Sequence, residues 1–265
     1  MGNETKSGTR EWSTASVNCI SGCRHRCRYC YARADAVRRK TCPGWESWGT
    51  TYCRVRPSEV AKCRRKIAGR IMFPTTHDIW PEVLEPCLQV LRNLLQAGNE
   101  ILIVTKPHLE CVEAIMDRLA EFREQVLFRF SIGSLDPSTL RWWEPGAPDP
   151  TERYACLIKA HVAGWQTSVS CEPLLSATQA DLLFKSLAPH VTDTIWIGKA
   201  NKLRQRMAPG DLVSPIGQAE VARIEAGQTD EVVRWVYEAL KGEPKVRWKD
   251  SYRKVLGLEA SDGDG

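Results

Sequence analysis

No stretch of this 265-residue chain is long and apolar enough to cross a membrane: runs such as Ile101-Leu102-Ile103-Val104 fall far short of the ~20 residues a spanning helix needs. Met1-Gly2-Asn3-Glu4-Thr5-Lys6 lacks the apolar centre of a secretory signal, and Lys6 stands where a myristoylation motif requires Ser or Thr. These absences predict a soluble, cytoplasmic protein with no membrane partner. Without a secretory signal, the 11 cysteines point to metal or redox chemistry in a reducing compartment and away from a disulfide framework. Acidic residues are scarce in one segment: Arg24 to Arg70 holds 14 Lys and Arg against 3 acids, net +11, whereas the rest holds 23 against 29, net −6. Such a basic focus suits a polyanion, since neutralised phosphates release counterions, although arginines can also serve a small anionic ligand, a reductase partner or solubility. No internal repeat is evident beyond the alternation described next.

Apolar runs rich in Ile, Val and Phe alternate with amphipathic stretches, which is the pattern of βα units and a parallel sheet. Strands are expected near 14–18, 70–74, 100–105, 126–132, 166–171 and 193–198, with helices near 31–40, 81–97, 108–122, 151–163 and 176–188. The expected fold is therefore α/β: a partial (β/α)6 TIM-like barrel forming one domain over 1–258. A basic, Cys- and Trp-containing excursion at 41–66 interrupts the first unit. A C-terminal extension spans 199–258, with a helix near 229–241 followed by 245–257, and 259–265 reads as a disordered tail. Function in such folds gathers where strands hand over to their loops. Here those handovers carry Thr75, Thr76 and His77-Asp78, then Thr105 and Lys106, Ser131, Ser170-Cys171-Glu172, and Lys199 with Asn201.

The first handover carries Cys19, Cys23, Cys27 and Cys30. The last three are spaced C-x3-C-x2-C, so one short loop offers three thiolates to a cluster and leaves one iron without a protein ligand, an open coordination that implies chemistry. The competing reading is a structural zinc site completed by Cys19. That spacing, with an aromatic before the last cysteine, resembles the radical S-adenosylmethionine superfamily, and the partial barrel becomes one of the radical SAM type. The resemblance implies a [4Fe-4S] cluster on Cys23, Cys27 and Cys30, S-adenosyl-L-methionine on the remaining iron, and Tyr29 near the adenine. It also implies reductive cleavage of the cofactor to a 5′-deoxyadenosyl radical that abstracts hydrogen from a substrate, with a flavodoxin- or ferredoxin-type electron donor as partner.

Gly22-Cys23-Arg24-His25-Arg26-Cys27-Arg28-Tyr29-Cys30-Tyr31-Ala32-Arg33 resembles the G-C-x-H-x-C-x-Y-C-Y-A-R signature of the spore photoproduct lyase-like branch. Glu144-Pro145-Gly146-Ala147-Pro148 followed by Arg153 is similar to that branch's E-P-x-A-P segment and its arginine, and Ile103-Val104-Thr105-Lys106 to its strand ending in T-K. The matches run in compatible order over roughly 17–175. The branch implies a lyase acting in DNA repair, on a nucleic-acid substrate; the alternatives are a radical enzyme modifying a peptide or small molecule, and a zinc-stabilised nucleic-acid-binding protein without catalysis. Known lyases of the branch carry a larger region before the cluster loop and use a cysteine to return hydrogen to the substrate radical.

For that hydrogen donor Cys171 is the candidate, against an inert buried thiol. Thr75, Thr76, Thr105, Lys106, Ser131, Ser170 and Glu172 are candidate cofactor contacts by location, while Lys199 and Asn201 could reach a substrate phosphate or the cofactor carboxylate. His77 reads as a structural histidine, and His25 and Arg26 as groups that tune the cluster. Cys42, Cys53 and Cys63 are candidate ligands of an auxiliary metal, or ordinary thiols. Arg54, Arg56, Arg64, Arg65 and Lys66, interleaved with Trp45, Trp48 and Tyr52, could bind nucleic-acid phosphates while the rings stack on bases; alternatively the tryptophans pack the excursion onto the barrel.

Overall fold

The computed structural model describes residues 8–259, so the expectations for Met1–Lys6 and for 260–265 of the tail lie outside the described residues. The chain opens with β1 (Ala15–Ser16), β2 (Ile20–Ser21), α1 (Tyr31–Arg38), β3 (Arg54–Val55), α2 (Pro57–Val60) and β4 (Arg70–Phe73). It continues through α3 (Leu84–Gln96), β5 (Glu100–Thr105), α4 (Leu109–Arg118), β6 (Val126–Ser131), α5 (Pro137–Trp143), α6 (Pro150–Val162), β7 (Gln166–Cys171), α7 (Ala180–Leu187) and β8 (Ile195–Ile197). The C-terminal part holds α8 (Leu203–Arg206), α9 (Pro209–Val213), α10 (Pro215–Ala226), α11 (Asp230–Leu240), β9 (Val246–Trp248) and α12 (Asp250–Leu256).

Seven strands form one parallel sheet in the order β1-β4-β5-β6-β7-β8-β9. The six expected strands are all present. The seventh, β9, was not separable in sequence from the helical stretch around it, because three residues are too few to show a period. Between sheet and helices lies the main core, where α3 buries Leu88, Val90, Leu91, Leu94 and Leu95 against strand residues such as Ile101, Ile103, Phe128 and Phe130. Alternation along the strands turns the other set inward: Met72, Leu102, Leu127 and Trp196 form a separate inner cluster with Trp12. Helix starts obey capping chemistry: Asp136 accepts the Ser138 and Thr139 N–H groups ahead of α5, and Asp149 accepts Glu152 N–H at 2.8 Å ahead of α6.

A partial barrel leaves a seam between its first and last strands, and a short 3-10 turn at Gly8–Glu11 closes it here. Buried Glu11 meets Lys249 Nζ at 2.9 Å and Arg253 at 3.2 Å, tying the N-terminal segment to α12. Trp12 follows into the barrel, its ring carrying Lys249 Nζ at 4.0 Å and the Arg129 guanidinium at 4.9 Å from the centroid. The basic excursion is anchored through β3, which pairs antiparallel with β2 just before the cluster loop. Among the described residues no helix is long and apolar enough to cross a membrane.

Candidate functional site

The loop from Ser21 to Cys30 is held in shape by neighbours that leave no room for side chains. A Cβ on Gly22, at φ +78°, would lie 2.4 Å from Trp48 O, and one on Gly146 would lie 2.2 Å from Arg24 O. Gly146 N–H donates to His25 O at 3.0 Å, so the E-P-G-A-P segment and the excursion clamp the loop from two sides. The clamp turns Cys23, Cys27 and Cys30 to one cavity of about 470 Å³ at the strand-end face of the sheet. That size suits a cofactor-sized ligand.

The three cysteines are free thiols. Burial is the main cause holding Cys23 well above its ordinary value, with Asp78 and the other two cysteines adding to it. Burial likewise pushes Cys27 up to about 12 against the opposing Lys106 charge, and raises Cys30 against the Arg33 backbone N–H. As thiolates they need a multiply charged cation to offset that burial. Among the described residues no three His, Cys, Asp or Glu side chains converge as ligands of a single ion. A cubane takes each thiolate on a different iron, so this donor set fits an iron–sulfur cluster better than zinc. Cys19 does not complete a zinc site: it is fully buried, its Sγ sits 3.8 Å from Cys87 Sγ, and its N–H donates to His77 Nε2 at 3.1 Å. His77 Nδ1 then donates to Asp78 O at 2.8 Å, which makes His77 the structural histidine expected.

Thr75, Thr76, Lys106, Ser131, Ser170 and Glu172 line the same cavity as the cysteines and Tyr29. They arrive from four strand ends. Two candidates do not join them. Thr105 turns its hydroxyl to Asp78 Oδ1, so it positions the loop without facing the cavity. Cys171 is buried in the outer core, in step with Val169 and out of step with Ser168 and Ser170, and burial raises its thiol to about 12. The expectation that Cys171 serves as hydrogen donor is therefore corrected by strand alternation. Among the described residues the only thiols on the cavity wall are the cluster trio.

Behind Tyr29 lies a buried ionic group. Tyr29 Oη donates to Glu144, whose other oxygen meets Arg153 at 2.5 Å; Arg153 also donates to Pro148 O at 2.8 Å and Ser131 O at 3.2 Å. Burial would raise the Glu144 carboxyl, but Arg153 and Lys106 outweigh it and hold it below the ordinary value. Burial would also lower the Lys106 ammonium; Cys27, Glu144 and Asp78 overcome that and keep it charged. A second chain of contacts runs outward from the loop. His25 Nδ1 lies 3.1 Å from Asp78 Oδ2, and its Nε2 lies 3.0 Å from His108 Nε2, so one ring donates to the other. Burial opposes ionisation of Asp78, yet His25, Lys106 and Thr105 together hold its carboxyl far below the usual range.

The auxiliary metal expected at Cys42, Cys53 and Cys63 is not assembled. Cys42 is buried with its thiol on Gly44 O at 3.2 Å, Cys53 is half-buried, and Cys63 is exposed on the groove between α2 and α3. The basic set is also divided. Arg56 donates to Asn18 O and Arg64 pairs with Glu59 at 3.0 Å, so both brace the excursion. Arg65 and Lys66 precede Ile67, whose N–H donates to Asn99 at 3.0 Å; this turn feeds the start of β5, the sheet edge opposite the cavity. Arg54 is exposed on β3 beside the cluster loop. Trp48 is buried and stacks on Tyr52 at 5.8 Å, which makes it a packing residue, while Trp45 carries the Arg33 guanidinium at 5.0 Å.

Sequence reasoning missed Tyr31, which lines the cavity and donates to Thr75 O at 2.7 Å, although it stands beside Cys30 in the cysteine motif. It also missed Arg10, Glu11, Trp12 and Arg206 on the cavity wall, for which no local pattern gives a signal.

No family model matches the sequence. The uncharacterized protein ORF301 of Acidianus two-tailed virus is 26% identical over 207 residues, covering 68% of this chain and 65% of that protein. A spore photoproduct lyase mutant superposes with a TM-score of 0.55 at 16% identity, over 93% of this chain and 79% of that one. Another, with bound S-adenosylmethionine and dinucleoside spore photoproduct, gives 0.53 at 17% identity over 88% and 80%. Streptococcus suis SuiB bound to S-adenosylmethionine gives 0.50 at 11% identity over 94% and 53%. The chain has the partial-barrel fold of radical SAM enzymes, in its spore photoproduct lyase-like form.

Proposed function

We propose that the protein is a radical S-adenosylmethionine enzyme that abstracts hydrogen from a nucleic-acid substrate, in the manner of a photoproduct lyase. The observation that carries the reading is the convergence of Cys23, Cys27 and Cys30 with Lys106, Ser131, Ser170 and Glu172 on one cavity. Cys23, Cys27 and Cys30 would hold a [4Fe-4S] cluster, and the strand-end groups would hold S-adenosylmethionine beside it. A cluster held there would supply the electron for reductive cleavage of S-adenosylmethionine, the chemistry that lets such an enzyme take hydrogen from a substrate.

The chain's own residues serve that chemistry in three ways. Lys106 offsets the negative charge that the thiolates bring into a buried wall. Glu144 and Arg153 fix Tyr29 through its hydroxyl, and with it the aromatic wall of the cavity. The seam residues Glu11 and Trp12 tie the N-terminal segment to the barrel and form part of the cavity wall. A nucleic-acid substrate is favoured by likeness to a protein solved with a dinucleoside photoproduct. The electron would come from a flavodoxin- or ferredoxin-type donor.

The test is anaerobic reconstitution with iron and sulfide, reduction with dithionite, and quantification of 5′-deoxyadenosine formed from S-adenosylmethionine. Wild type and Cys19→Ser are expected to load iron and form product, and Cys27→Ala to form none. A wild-type protein that holds zinc, takes up no iron and gives no 5′-deoxyadenosine would refute the reading in favour of a binding module.

A further inference from the structure

The wall of the cavity carries four carboxylates, Glu11, Asp78, Glu172 and Asp250. Each already has a hydrogen-bonding or ion-pair partner. Glu11 meets Lys249 and Arg253 at 2.9 and 3.2 Å, Glu172 meets Lys249 at 3.5 Å, Asp250 meets Lys254 at 2.8 Å, and Asp78 meets His25. Lys249, Arg253 and Lys254 stand behind the wall and are not part of it. Four cations also stand on the wall itself. Lys106 sits by the cluster thiols, whereas Arg10, Lys199 and Arg206 come from the N-terminal segment, the end of β8 and α8.

Lys199 has Asp230 as its nearest acid, at 4.0 Å, and that carboxylate is 67% exposed. Arg206 is half-buried, with the Tyr31 ring centroid 5.9 Å from its guanidinium carbon; its charge acts on the Glu172 carboxyl, but no carboxylate forms an ion pair with it within 4 Å among the described residues. Leu203 and Met207, both buried, anchor the turn on either side of it. A guanidinium that no carboxylate engages bidentately keeps donors free for a ligand, and its planar fork matches an oxyanion.

We propose that Arg206, together with Lys199 and Arg10, forms an anion subsite that holds a phosphodiester of the substrate, an inference that rests on the nucleic-acid reading above. The cofactor's carboxylate is the other anion that could reach this wall. Against it, Lys106 already provides a cation beside the cluster thiols, whereas Arg10, Lys199 and Arg206 come from other elements, the N-terminal segment, the end of β8 and α8. The excursion residues Arg65 and Lys66 face away from this subsite and take no part in it.

The test is calorimetric titration of the cluster-reconstituted, full-length protein at fixed salt with thymidylyl-thymidine and with its uncharged methylphosphonate analogue. Wild type is expected to bind the charged dinucleotide and to bind the neutral analogue more weakly. Arg206→Ala is expected to weaken the charged ligand by roughly ten- to a hundredfold, the range of a hydrogen bond to a charged group, with little change for the neutral one. Arg206→Lys should recover much of the loss, and Arg65→Ala should match wild type. S-adenosylmethionine affinity, measured on the same variants, should not move. The inference is overturned if wild type binds neither dinucleotide, if it binds both equally, or if Arg206→Ala loses S-adenosylmethionine and keeps the dinucleotide. Substrate-free 5′-deoxyadenosine formation in the same preparations reports separately on the enzyme reading, so failure of one does not mask failure of the other.

Discussion

Replacing Arg153 with methionine should remove a charge from a place where water cannot substitute for it. Arg153 is fully buried and Glu144 is 2% exposed at the side chain. The substitution deletes the 2.5 Å contact with Glu144 and the hydrogen bonds to Pro148 O and Ser131 O, while keeping most of the side-chain volume. Breaking one side of a buried pair costs about 3–5 kcal/mol, a large part of the 5–15 kcal/mol that holds a typical domain together. With a urea m-value of about 3 kcal/mol/M for a chain of this size, the unfolding midpoint should fall by roughly 1 to 1.7 M. The loss should depend on pH. In the wild type the Glu144 carboxyl is held below its ordinary value of 4.5, so its ionised form stabilises the fold at neutral pH, and that contribution fades as pH drops through the acid range. Without Arg153, only Lys106 and the Tyr29 hydroxyl oppose burial, so the carboxyl rises relative to wild type, and the variant's deficit should be largest at pH 7 and shrink as pH falls through the acid range. Glu144→Gln with Arg153→Met should be less damaging than the two single changes summed. Strictly additive effects, or a deficit independent of pH, would refute the account of a mutually dependent buried pair.

Two further outcomes follow from the same packing. Gly146→Ala places a methyl group against Arg24 O and 3.1 Å from His25 Cα, so the cluster loop must shift; iron uptake on reconstitution should drop while the unfolding free energy falls by only about 1–3 kcal/mol. Unchanged iron content would show that the loop is not clamped by this contact. Trp12→Ala empties the inner cluster with Met72, Leu102, Leu127 and Trp196 and should cost about 3–5 kcal/mol in urea unfolding, whereas a loss below about 1 kcal/mol would mean that the seam segment is not part of the cooperative fold.

Much of this molecule was legible one residue after another. Parallel strands buried on both faces read as continuous apolar runs, so six strands were found from composition alone. The cysteine loop was legible for a similar reason: its ligands lie within eight residues, and short-range spacing fixes how many thiolates one loop can present. Even the place of Cys171 was encoded, since Ser168 and Ser170 alternate with Val169 and Cys171, and only one of those sets can face the cavity. Tertiary structure alone decided the rest, because it turns on which distant groups neutralise one another. Glu11 and Lys249 are 238 positions apart and meet at 2.9 Å, Glu144 finds Tyr29 across the clamp, and Lys66 turns out to lie at the opposite sheet edge from the cysteines it follows in sequence. Charge counts show how many cations a chain carries; which of them are already paired, and which stay available to a ligand as Arg206 does, depends on where folding places the acids.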